Sequence, residues 1–149
     1  MKQFYKMTRI LLVLTISLVF ACGNDDDGNT EPQANYAELI IGTWTWTSQT
    51  TNGVDLGPLS ECELMETFIY DGTQVEQIDY SGNPCTQAFT STENYSIEGN
   101  MITYSALDDP SDAYTEEIIE LNATTLKIRY EEEFGGETFI VVDTYTRVE

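Results

Sequence analysis

The amino-acid sequence predicts an all-β protein: an eight-stranded antiparallel up-and-down barrel that follows a signal peptide and a flexible linker. From Thr43 onward, apolar and polar residues alternate with a period of two, the pattern of half-buried strands. Turn signals recur every ~8–12 residues. The links between strands are mostly short, which favours up-and-down order over the long crossovers of a sandwich. Eight such strands can close into a barrel that holds one small ligand.

Local residue choices predict each element. Asn35 is expected to cap a short helix over residues 36–41, which Gly42 ends. The dipeptide Asp71-Gly72 predicts a two-residue hairpin turn. The predicted strands comprise residues 43–50, 62–70, 73–80, 90–97, 101–107, 114–121, 125–132 and 137–148.

Residues 1–21 are predicted to be a lipoprotein signal peptide and not part of the fold. Lys2, Lys6 and Arg9 precede an apolar run over residues 10–20, which is too short to span a bilayer. Cys22 follows a small residue, so it would be acylated and become the new N-terminus. The alternative is an ordinary signal peptide followed by a coincidental cysteine.

Residues 22–35 are predicted to be a flexible acidic linker, because they contain too few apolar side chains to order themselves. Residues 36–149 then form the barrel domain. The run 24–27, an asparagine and three aspartates, resembles the acidic tag that sends some bacterial lipoproteins to the cell surface. A solvated spacer would have the same composition. We expect a protein anchored by lipid in the outer membrane and exposed at the cell surface.

The charge of the chain excludes some partners. The signal peptide contains three of the six basic residues and none of the 26 acidic ones, so the mature chain would carry a net charge of −23. Nucleic acid binding needs basic side chains to neutralise phosphates. Anionic lipid head groups would also repel such a chain, so membrane attachment must be covalent, through Cys22. An acidic surface favours a monomer.

The remaining cysteines, Cys62 and Cys85, form an even pair in an exported chain and are predicted to form a disulfide. The Asp71-Gly72 turn places Cys62 roughly opposite Ser81, so the bond would tie the neck of that hairpin.

Nothing in the sequence indicates catalysis. The 149 residues contain no histidine and no Cys-x-x-Cys pair, which removes the usual zinc sites and the Ser/His and Cys/His nucleophile pairs. Glu66 and Glu120 fall on strand phases that could face inward, but nothing fixes their separation, as an acid/base pair would require. We expect no catalytic residue, no metal site and no cofactor, and therefore a protein that is not an enzyme.

Aromatic side chains supply the candidate ligand contacts. Trp44 and Trp46 share one face of the first strand, and we assign Trp44 to the core. The candidate ligand-binding residues are Trp46, Phe68, Tyr95, Tyr104 and Tyr130. The alternative for each is ordinary packing, because a barrel of this size fills most of its lumen with side chains.

A longer pattern resembles a known family. Its parts are Gly42-Thr43-Trp44, Asp71-Gly72-Thr73, residues 95–100, residues 118–126 and Tyr145-Thr146-Arg147-Val148. Together they are similar to the bacterial lipocalin-like lipoprotein family over residues 38–149. The resemblance implies an eight-stranded calyx on a lipid anchor, an apolar ligand and no catalytic residue. It also implies that Arg147 stacks on Trp44 where the first and last strands meet at the closed end; an exposed position is the alternative for Arg147.

Two functions follow from this pattern. The first is a small-molecule carrier or sensor that holds an apolar ligand in the barrel lumen. The second is a surface interaction or inhibitor module with a solid barrel, whose loops engage another protein. The presence or absence of a cavity in the lumen separates them.

Overall fold

A short helix, nine strands and one 3₁₀ turn make up residues 35–148, the part of the chain that the computed structural model describes. In chain order they are α1 (Tyr36–Leu39), β1 (Gly42–Thr51), β2 (Val54–Asp55), η1 (Glu63–Met65), β3 (Thr67–Tyr70), β4 (Gln74–Ser81), β5 (Gln87–Glu98), β6 (Met101–Ala106), β7 (Ala113–Leu121), β8 (Thr125–Phe134) and β9 (Glu137–Arg147).

Strands β1 and β3–β9 close into an eight-stranded barrel. Each pairs antiparallel with its neighbour in sequence, and β9 pairs back onto β1, with Trp44 opposite Arg147. The two-residue strand β2 folds back onto the end of β1. The predicted fold class and its up-and-down order are therefore confirmed.

Several predicted boundaries are wrong, and the largest error is at the start of the second long strand. The second long strand was expected to begin at Cys62, but it begins at Thr67, after the turn η1. The Ser60 N–H donates to the Glu63 carboxylate at 2.6 Å and the Glu63 N–H donates to Ser60 Oγ at 3.3 Å, a reciprocal pair that starts a helical turn. In α1, the Asn35 side chain makes no capping bond, and the helix ends at Leu39.

Two β-bulges change which side chains face the lumen. In β1 the register shifts between Trp46 and Ser48, and Gln49 takes the next inward position. In β7 it shifts between Ile118 and Glu120, so Leu121 is the next buried residue. A bulge adds one residue to one strand and reverses the alternation beyond it.

One end of the barrel is closed by packed apolar side chains. Ile40, Trp44, Ile102, Ile118 and Leu126 are at most 1% exposed. The Trp44 indole Nε1–H donates to the Ile40 carbonyl at 2.7 Å, which ties the residue after α1 to the first strand. Most loops at the other end are longer, and the predicted Cys62–Cys85 disulfide, with Cα atoms 5.4 Å apart, joins the β2–β3 loop to the β4–β5 loop.

No helix within residues 35–148 is long and apolar enough to cross a bilayer. Cys22 and the predicted signal peptide and linker lie outside the described residues.

Candidate functional site

The barrel lumen contains a cavity of about 260 Å³ above the closed end. This volume is slightly below the roughly 300–1,000 Å³ of sites for drug-sized ligands, so the cavity suits a small molecule. Every strand of the barrel contributes to its wall. The lining residues are Trp46, Gln49, Glu66, Phe68, Tyr70, Val75, Gln77, Ser91, Glu93, Tyr104, Tyr114, Glu116, Tyr130, Asp143 and Tyr145.

Four of the five candidate ligand-binding residues line this cavity: Trp46, Phe68, Tyr104 and Tyr130. The fifth, Tyr95, does not line it, because its side chain is held at the β3–β4 turn. Its ring packs edge-on against Tyr70 at 5.1 Å, and its hydroxyl accepts a hydrogen bond from the Gly72 N–H at 3.0 Å. These two contacts bind Tyr95 to the β3–β4 turn, on the closed side of the cavity.

Carboxylates are the unexpected part of the wall. Glu66, Glu93, Glu116 and Asp143 all line the cavity. Of these four, only Glu66 was considered from the sequence, as one half of a possible acid/base pair with Glu120. Glu120 faces outward instead and forms an ion pair with Lys127 at 2.7 Å, because the β7 bulge reverses its phase. The cavity is therefore aromatic and strongly acidic.

Asp143 is the most buried of these carboxylates, at 7% exposure. It accepts hydrogen bonds from Gln49 Nε2 at 2.9 Å and from the Tyr130 hydroxyl at 3.1 Å. Burial raises the pKa of Asp143, and these hydrogen bonds oppose the rise because they stabilise the carboxylate.

Glu66 and Glu116 have no such support. Burial, the largest cause, raises the pKa of Glu116 to about 7, and the negative charges of Asp143 and Glu93 add to the rise. Burial also raises the pKa of Glu66 to about 7, together with repulsion from other carboxylates. Within residues 35–148, neither side chain has a hydrogen-bond donor or a cation as partner.

The three basic residues in the described part of the chain are all used elsewhere. Lys127 pairs with Glu120, and Arg129 pairs with Glu117 at 2.9 Å, both on the outer face. Arg147 lies at the closed end, 4.2 Å from the Trp44 ring centroid. No basic side chain among these residues neutralises the lumen carboxylates.

Two hydrogen-bond donors in the wall also lack acceptors. The hydroxyls of Tyr70 and Tyr104 are 2.9 Å apart and both residues are at most 5% exposed. One hydrogen bond uses one of their two hydroxyl hydrogens, and the other has no acceptor among residues 35–148. The buried Trp46 Nε1–H has no partner of hydrogen-bonding geometry, although Asp143 is near enough to be stabilised by it.

A second opening lies between β7 and β8. These strands pair only as far as Glu117 and Arg129, while β8 continues to Phe134 and β7 begins at Ala113. The resulting groove, of about 390 Å³, shares Tyr114, Glu116 and Tyr130 with the lumen cavity. The groove and the lumen cavity therefore share part of one wall.

Some of the missed residues carried a sequence signal. Glu116 alternates with Tyr114 and Ile118 in the predicted strand 114–121, so period two alone would have placed it inward. For Gln49 and Asp143 the sequence signal was weaker. A bulge lies between Trp46 and Gln49, and Asp143 can be placed inward, with Tyr145, only after the phase of β9 is known.

Comparisons with known proteins address the fold of the barrel. A sequence model described as a lipocalin-like domain matches residues 40–128. No curated protein matches the chain. A solved lipocalin-like protein from Bacteroides uniformis is similar in structure, with a TM-score of 0.53, 13% identity, and coverage of 74% of this chain and 99% of that one. An uncharacterized protein from Bacteroides eggerthii has a TM-score of 0.51, 7% identity, and coverage of 72% and 98%. At these identities the two structures support the fold alone.

Proposed function

The chain belongs to the lipocalin-like domain family, and from this premise we propose that it is a carrier or sensor that holds a small molecule in its barrel lumen. The cavity is the observation that carries this proposal, because it is lined from every strand of the barrel and is large enough for a small ligand. The ligand's body is apolar and lies against Trp46, Phe68 and Tyr130. Binding, rather than catalysis, is the activity.

The same cavity argues against the second function considered from the sequence. A surface interaction module was expected to have a solid barrel. The lumen instead contains a cavity of about 260 Å³, and buried polar groups in its wall have no hydrogen-bond partner within the described chain. A scaffold that used only its loops would have no need of such a cavity.

We further propose that the protein is monomeric and attached to the outer membrane through acyl chains on Cys22, with its barrel held at the cell surface. The basic, apolar and small residues before Cys22 support this attachment, as does the acidic run at residues 24–27. The net negative charge of the chain leaves a covalent anchor as the means of membrane attachment.

Native mass spectrometry of the protein purified from its own cells tests the carrier function. We expect a complex heavier than the chain by one small molecule. In parallel, the neutral fluorescent probe N-phenyl-1-naphthylamine should bind the ligand-free protein, and Ser91→Trp should weaken its binding because Ser91 lines the cavity.

Ser96→Trp is the matched control on the outer face of the same strand. It should leave probe binding unchanged. A protein that carries no ligand mass and does not bind the probe would contradict the carrier function.

A further inference from the structure

The chemistry of the lumen wall indicates which polar groups the ligand carries in addition to its apolar body. Glu66, Glu93, Glu116 and Asp143 line one cavity, and all of the basic side chains in residues 35–148 lie outside it. A carboxylate removed from water needs a cation or hydrogen-bond donors to compensate the lost hydration. Asp143 has donors from the protein, whereas Glu66 and Glu116 have none among these residues.

The orphan donors give an independent indication of a ligand. The Tyr70–Tyr104 hydroxyl pair is at least 95% buried and has one hydrogen without an acceptor in the described chain. Both residues line the cavity, so a ligand oxygen is well placed to accept that hydrogen. Tyr70 ends β3 at the closed end, whereas Glu66 precedes β3 at the loop end. A ligand oxygen that accepts from the hydroxyls would therefore lie closer to the closed end than a ligand group that contacts Glu66.

The aromatic wall is suited to the same class of molecule. Trp46, Phe68, Tyr114 and Tyr130 present ring surfaces to the cavity. Aromatic rings pack against an aromatic ligand and attract cations through their faces. An anion would instead meet four carboxylates and no basic side chain from the described residues.

Resting on the proposed carrier function, we propose that the lumen selects a small aromatic amine. Its protonated amino group lies against the carboxylate of Glu116, which lines the cavity. Its ring packs on the aromatic wall, and a polar oxygen on the ring accepts from the Tyr70–Tyr104 pair. No bond forms or breaks in this binding.

Isothermal titration calorimetry with three probes of one shape tests the class. Tyramine is cationic, tyrosol is neutral and 3-(4-hydroxyphenyl)propionate is anionic, while all three carry the same phenol. The titrations are done at pH 8, where most Glu66 and Glu116 side chains are ionised. Tyramine should bind about tenfold more tightly than tyrosol, or more, as expected of hydrogen bonds to charged groups. The propionate should not bind measurably.

Glu116→Gln should lower the affinity for tyramine to that for tyrosol and leave the affinity for tyrosol unchanged. Glu120→Gln is the control, since Glu120 lies on the outer face of the same strand with Lys127. Tyrosol binding as tightly as tyramine, or equal losses in the two variants, would overturn the proposed class.

The neutral naphthylamine probe separates the two proposals. If it binds in the lumen and none of the three phenols binds, the carrier function stands and the aromatic amine is wrong. If neither it nor the phenols bind, both proposals fail.

Discussion

The guanidinium of Arg147 lies 4.2 Å from the centroid of the Trp44 indole ring, where the last strand of the barrel meets the first. From there Arg147 donates to the carbonyls of Ile41 at 2.7 Å and Ala123 at 2.9 Å, and to that of Leu39. One side chain thus joins α1, β1, β9 and the β7–β8 turn. The ring beneath it is fully buried, so the stack seals the end of the barrel that has no cavity.

Arg147→Ala should destabilise the fold by about 2–4 kcal/mol, because it removes the stack and leaves three carbonyls without their donor. A thermal melt should show a lower midpoint, and Trp44 fluorescence should change while ligand affinity in the lumen does not. Arg129→Ala is the control: its pairs with Glu117 and Glu131 are half-exposed and are worth at most about 1 kcal/mol. Equal losses for the two variants would contradict the sealing role.

Gly42→Ala should be costly for two reasons. Gly42 has φ of +138°, which L side chains rarely adopt, and a Cβ there would collide with Arg147 Nη1. We expect a loss of more than about 1 kcal/mol in chemical denaturation. Gly57→Ala is the control for backbone strain without a collision, because its φ is +97° and nothing lies within 4 Å of the added Cβ.

The collision can be tested in a double variant. Gly42→Ala in an Arg147→Ala background should cost less than Gly42→Ala alone, since the atom that it meets is gone. Strict additivity of the two losses would show that the collision contributes nothing.

The Cys62–Cys85 bond should stabilise the barrel by about 3 kcal/mol, since it closes a loop with a sequence separation of 23. The Cys62→Ser/Cys85→Ser double variant should therefore melt at a lower temperature. Labelling of free thiols in the folded, non-reduced wild type should find neither cysteine. Labelling of both cysteines would contradict the bond.

The stability of the barrel should fall between pH 5 and pH 8. Both Glu66 and Glu116 have folded-state pKa values raised from 4.5 to about 7. As the pH rises through this window, the unfolded chain loses protons that the folded chain retains, so the unfolded state gains stability. Above pH 7 the folded state contains carboxylates that burial and neighbouring charges disfavour.

Glu116→Gln should remove part of this dependence and raise the stability at pH 8 by about 1–2 kcal/mol, because the neutral amide is not penalised. Denaturant melts of the ligand-free protein at pH 5 and pH 8 measure this difference in the free energy of unfolding. Glu120→Gln on the outer face should leave the slope unchanged. A stability that rises from pH 5 to pH 8 would mean that the lumen carboxylates are compensated in the folded state.

Cys22→Ala should leave uncleaved precursor or soluble protein, because two or more acyl chains are needed for stable membrane attachment. Mass spectrometry of the mature N-terminus and separation into membrane and soluble fractions measure the outcome. Cys62→Ser is the control and should remain in the membrane fraction. An unmodified N-terminus at another residue would contradict acylation.

The sequence alone determined the fold class. Period-two alternation, the Asp71-Gly72 turn and the short links are local signals, and they require only that neighbouring strands pair. The proximity of Arg147 to Trp44 also followed, because closing an up-and-down barrel brings the end of its last strand beside the start of its first. Their stacking was implied only by the family resemblance. The disulfide needed only an even cysteine pair near one hairpin.

Only the tertiary structure decided which polar side chains enter the lumen. A bulge reverses every side chain beyond it, and the sequence does not mark where strands pair irregularly. This is why Glu120 lies outside with Lys127 and Gln49 lies inside with Asp143. The acidity of the cavity is likewise a property of eight strands together, since it depends on carboxylates from distant parts of the chain meeting where no basic side chain of residues 35–148 reaches them.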